Sequence, residues 1–94
     1  MPYIEKSDKS YLEPLVESLM LEVGTVGELT YAISVMCDRF ANKFRLNYAE
    51  IAHVMGALEC TKHEFYRRVA VPYEESKKEL NGDIFEDHTG PVRR

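Results

Sequence analysis

The chain has 94 residues, 45% of them hydrophobic and 11% aromatic, with no tryptophan and a formal net charge of −4. A chain this short folds as one domain with a thin core, burying only about 60–65% of the surface its unfolded form exposes. The acidic balance lacks the basic field that long DNA or RNA needs to displace its counterions, although a few local arginines can still hold a small anion. No apolar run is long enough to span a membrane, no secretory leader is apparent, and Cys37 and Cys60 lie in helical patterns without a CxxC. A reducing cytoplasm is the expected location, with both thiols acting as small core residues.

Residues 1–9 read as a polar N-terminal arm. Ser10 and Glu13 then form the S-x-x-E capping signature, with Pro14 in the tolerant first turn. Leu12, Leu15, Val16, Leu19 and Val23 recur at helical spacing until Gly24, which predicts a first helix. Thr25 and Glu28 repeat the signature, so a second helix starts near Val26, with Leu29, Ala32, Ile33, Met36, Cys37, Phe40 and Phe44 as its core face.

Asn47 and Glu50 mark a third start, and Ile51, Val54, Met55, Leu58, Phe65 and Val69 sustain the period until Val71-Pro72 ends or kinks it. Pro72 can open a short last helix through Leu80 that Asn81-Gly82 terminates. Residues 83–94 read as a flexible tail. The fold expected is all-α: residues 10–82 as one domain, a small hairpin or bundle of about three helices plus a short C-terminal one. Short loops predict antiparallel packing, with the second and third helices as the central hairpin. The thin core predicts self-association.

The third helix carries more polar chemistry than a core role requires. Glu59, Lys62 and Tyr66 share a stripe that continues toward Tyr73, offering a cation for phosphate and rings for base stacking. The plainer reading is a solvated ion pair beside a tyrosine. Arg67 and Arg68 follow at the helix end, where the dipole favours cations in any case. In an α-helix they point about 100° apart, so two subunits are better placed than one to bring such arginines together.

His53, Cys60 and His63 fall on one stripe with Gly56, but no metal signature accompanies them, and close helix approach at Gly56 explains the stripe better. No metal or cofactor is expected. Nor is an enzyme: the sequence has no phosphate loop, no nucleophile elbow and no paired ExxE and ExxD carboxylates. Glu13 with Glu17, and Glu75 with Glu79, read as solvated helix faces.

Met1-Pro2-Tyr3-Ile4, Leu29-Thr30-Tyr31-Ala32-Ile33, the stretch from Leu58 to Val69 (LECTKHEFYRRV), Pro72-Tyr73-Glu74 and Asn81-Gly82-Asp83 together resemble a family of small phage-encoded proteins. The likeness reaches from the N-terminus to Asp83, is weaker across the first helix, and departs at Thr30, where asparagine is the family's residue. The resemblance implies an anti-CBASS role, phage evasion of cyclic-oligonucleotide immunity. There a homo-oligomer, a dimer or tetramer, sequesters a cyclic dinucleotide such as 3′,3′-cGAMP at subunit interfaces without catalysis. Carried onto this chain, the implied ligand-binding residues are Tyr3, Tyr31, Lys62, Tyr66, Arg67, Arg68 and Tyr73. A protein–protein adaptor with no nucleotide ligand is the alternative, and an all-α nucleotide hydrolase a third reading.

Overall fold

A computed structural model describes residues 2–86. Its elements are α1 (Lys6–Glu22), α2 (Val26–Ala41), α3 (Tyr48–Phe65), a π-helical turn (Tyr66–Ala70) and α4 (Val71–Asn81). No strand occurs among the described residues, so the fold is all-α. The chain divides into two compact units, residues 1–62 and 63–94, with the boundary inside α3. Of the expected flexible tail, residues 87–94 lie outside the described residues, while residues 83–86 follow α4 and Gly82 without helix.

In the first unit, α1 begins four residues before Ser10. Its N-cap is Glu5, in extended conformation and without a side-chain cap bond. The Ser10–Glu13 capping box does not form, because the Ser10 hydroxyl donates instead to the carbonyl of Ser7, 2.8 Å away, inside the helix. Pro14 consequently sits in the body of α1 rather than in its first turn. Val23 leaves the helix in extended geometry (φ −98°, ψ 107°).

The second start is the one Thr25 and Glu28 encode. The Thr25 hydroxyl accepts from the Glu28 N–H at 3.0 Å, and Glu28 Oε1 accepts from the N–H groups of Thr25 (3.1 Å) and Gly24 (2.9 Å). Three backbone donors that the helix itself cannot satisfy are thereby paired. At the other end of α2, the Asn42 N–H donates to the Asp38 carbonyl at 3.1 Å and the Lys43 N–H to the Phe40 carbonyl at 3.2 Å. Asn47 Oδ1 then accepts from the Glu50 N–H at 3.0 Å, which fixes the start of α3 as the sequence predicts.

Helix formation is not matched by packing. Within residues 2–62 no two helices lie against one another along their lengths, so α2 and α3 do not make the expected antiparallel hairpin. They flank a groove of about 640 Å³ instead. The predicted core face of α2 is correspondingly open: Met36 and Phe40 are each more than half exposed, and Phe44 is 90% exposed. Ala41 is the single buried apolar residue among the described ones. The thiols are not the buried core residues expected: Cys37 is partly covered and Cys60 exposed, both on the open groove.

The second unit contains the π turn and α4. The Val71 N–H donates to the carbonyl of Tyr66, an i→i−5 bond that defines the wider turn. Pro72 explains it: the ring has no N–H to give and would collide with the Arg68 carbonyl four residues back in a regular helix. Widening the turn avoids the collision without breaking the helix. At the far end Gly82 adopts φ +90°, ψ 153° and its N–H bonds to the Lys78 carbonyl at 2.8 Å. Past it, Asp83 Oδ1 accepts from the Phe85 N–H.

Candidate functional site

Four of the seven expected ligand residues, Tyr66, Arg67, Arg68 and Tyr73, belong to the second unit, on the π turn and the first turn of α4. Tyr3, Tyr31 and Lys62 belong to the first unit: Tyr3 precedes α1, Tyr31 is on α2 and 72% exposed, and Lys62 is the unit's last residue, exposed on α3. Tyr31 also lines a groove between α1 and α2 with Leu19, Val23 and Val35.

The cations of the second unit are not equivalent. Arg67 is held by Glu64 through two parallel bonds, Nε to Oε1 at 2.7 Å and an Nη to Oε2 at 3.0 Å, the bidentate geometry that most favours an arginine–carboxylate pair. Lys78 pairs with Glu75 at 3.1 Å, and that hydrogen bond, reinforced by the charges of Glu75, Asp83 and Glu79, raises its pKa. Lys77 stands 5.6 Å from the centre of the Tyr73 ring, within the range of a cation–π contact. Arg68 is exposed and, among the described residues, has no ion-pair partner. It is the cation most available to an incoming anion.

The exposed rings of Tyr66 and Tyr73 add two flat apolar faces with hydroxyl tips. Because Pro72 imposes the π turn between them, Arg67 and Arg68 no longer follow the α-helical 100° step that the sequence implies; a wider turn narrows the angle between successive side chains. The expected ligand set omits Lys77. Its i, i+4 spacing from Tyr73 was the available signal.

Elsewhere, Glu50 Oε1 lies 3.6 Å from His53 Nδ1. No cluster of three or more His, Cys, Asp or Glu side chains with metal-holding geometry occurs among the described residues, so His53, Cys60 and His63 do not converge there. No described helix is long and apolar enough to cross a membrane.

The model of a domain of unknown function, DUF6899, matches residues 1–84, and the chain belongs to that family. Neither the curated proteins nor the solved structures compared with it contain a match.

Proposed function

We propose that this chain is a non-enzymatic, self-associating phage protein that binds and sequesters a cyclic dinucleotide, such as 3′,3′-cGAMP, in the host cytoplasm. The observation carrying the reading is the grouping of Tyr66, Arg68 and Tyr73 around the π turn, with Arg68 outside every ion pair among the described residues. A cyclic dinucleotide presents two bases and two phosphates in a compact, doubly negative frame. Tyrosine faces suit the bases and a guanidinium suits a phosphate, each stacking contact contributing about 1–3 kcal/mol where it has been measured by truncation. One copy supplies too few such groups around two phosphates, so the reading draws groups from more than one copy, and the uncovered helix faces of the first unit support association.

Calorimetry against a panel of cyclic dinucleotides and trinucleotides tests it. The expected result is saturable binding of at least one member, with intact ligand recovered after long incubation with magnesium. Absence of heat with every member, at protein concentrations well above micromolar, overturns the reading, and product formation would instead make the protein a hydrolase.

A second reading, a protein–protein adaptor without nucleotide ligand, is favoured by a different observation. The groove between α2 and α3 is open and lined by Met36, Phe40, Val54 and Leu58, the kind of surface that accepts an amphipathic helix. Enrichment of one host protein in pull-downs, together with silent calorimetry, selects this reading.

A further inference from the structure

We infer that the α2–α3 groove of the first unit is the surface by which two copies of this chain meet, α3 of one crossing α3 of the other at Gly56. The inference deepens the self-association within the proposed function and does not depend on the nucleotide.

Gly56 lies in the body of α3, where glycine weakens a helix relative to alanine. Nothing inside the chain asks for it. A Cβ built at Gly56 meets no atom within 4 Å, so the residue relieves no internal crowding, and its backbone has no positive φ. Gly56 also lines the groove, with the small residues Ala52, Ala57, Cys60 and Thr61 and the larger His53, Val54 and Leu58 on α3, and with Met36 and Phe40 on α2. The small residues next to Gly56 allow another helix to approach closely there, while Met36 and Phe40 can adapt to its flank.

The area argues for a partner as large as a second copy. About a dozen large aliphatic, methionine and phenylalanine side chains on α1, α2 and α3 of the first unit stay a third or more exposed. At the surface such side chains carry, they leave on the order of 900 Å² of apolar area. Spread over the three helices, that total is comparable with the about 800 Å² that each partner contributes to a standard stable interface, and the α2–α3 groove carries the part of it that surrounds Gly56. A second copy answers this need in every molecule of the protein, whereas an unrelated partner leaves each new chain without a core until the two meet. Like surfaces meeting across a two-fold axis also form a closed pair, the commonest arrangement of identical chains.

Sedimentation analysis of the full chain over a concentration series, without nucleotide, tests the inference, with Gly56→Leu compared with the parent and with Ser34→Leu, which lies outside the groove. In the isolated chain a leucine at 56 enters open space and replaces a weak helix former. Across a close crossing it forces the helices apart. The expected result is a parent of twice the chain mass or a multiple of it, retained by Ser34→Leu, and a fall to single-chain mass with a lower melting temperature for Gly56→Leu. A parent that sediments as a monomer throughout overturns the inference and leaves the groove to a foreign helix, and a folded Gly56→Leu of parental mass overturns it equally. Should Gly56→Leu not fold, Met36→Gln on the opposite wall is read by the same criterion. Because no ligand is present, silent calorimetry with nucleotides leaves a positive result here standing, and the reverse also holds.

Discussion

The amide of Val71 bonds to the carbonyl of Tyr66, one residue beyond its α-helical partner Arg67. This single displaced bond separates the helix the sequence predicts from the one that forms. It follows from Pro72, and it sets the directions of Tyr66, Arg67 and Arg68. Replacing Pro72 with alanine returns the N–H and removes the ring. The turn is then expected to revert to α-helix, with a stability gain smaller than the about 3 kcal/mol that a helix-interior proline costs, since the widened turn already avoids part of that strain. Urea unfolding measures the gain. Nucleotide affinity, followed in parallel by calorimetry, is expected to fall as the rings and Arg68 rotate away from one another.

Arg67 and Arg68 are adjacent in sequence but differ in engagement, and their truncations should differ too. Arg68→Ala is expected to lose binding of the cyclic dinucleotide by at least tenfold, the cost of removing one charge-assisted contact of about 1.5–3 kcal/mol. Arg67 must first leave Glu64, so Arg67→Ala is expected to cost less, and Glu64→Gln to strengthen binding by releasing Arg67. Titration of all three variants with 3′,3′-cGAMP checks the order. Equal losses for both arginines, or none for Arg68, would remove the assignment of roles.

At Thr25 and Glu28 the sequence and the structure agree bond for bond. Thr25→Ala removes the acceptor for the Glu28 N–H and is expected to cost about 1 kcal/mol of stability, measured by chemical denaturation. The same cap gives a pH dependence. Hydrogen bonds from Gly24 first, and then from Thr25, depress the pKa of Glu28 in the folded chain. Its stabilising contribution is therefore fully present above the ordinary glutamate range and lost as pH falls through the depressed folded value. A melting-temperature series from neutral to acid pH is expected to decline over that window, and Glu28→Gln to flatten this part of the decline.

How far the sequence could be read depended on whether the signal was local. The starts of α2 and α3 were legible because Thr25, Glu28 and Asn47 each satisfy a backbone donor within three residues. The start of α1 was not, because a serine competent to cap is equally competent to bond back to the preceding turn, as Ser10 does with Ser7. The apolar periodicity of α2 gave the helix but not what covers it. An amphipathic stripe reads the same whether its partner lies in the same chain or in another, and here Met36 and Phe40 stay more than half exposed on the open groove beside α3. For the candidate site, residue types pointed to Lys62, Tyr66, Arg67, Arg68 and Tyr73 alike, and the resemblance added Tyr3 and Tyr31. The Arg67–Glu64 clamp and the position of Lys77 over Tyr73 depend on side-chain rotamers, which spacing alone leaves open.

Gly82 terminates α4 at φ +90° and ψ 153°, a region that side chains with a Cβ rarely enter, so its identity is dictated by backbone geometry rather than by space. No atom lies within 4 Å of a Cβ placed there, so a Gly82→Ala chain meets no clash and pays only for conformation. That cost is expected at about 1–3 kcal/mol, the range for a residue held in a sparsely populated region. If the chain instead relaxes to an ordinary φ, the bond from the Gly82 N–H to the Lys78 carbonyl is lost and the last turn of α4 frays. Hydrogen exchange distinguishes the two responses: retained protection of the Gly82 amide position with lower global stability marks a strained but intact cap, whereas loss of protection confined to residues 78–82 marks fraying. Because Tyr73 and Lys77 sit nearer the start of the helix, nucleotide binding is expected to survive the substitution in either case.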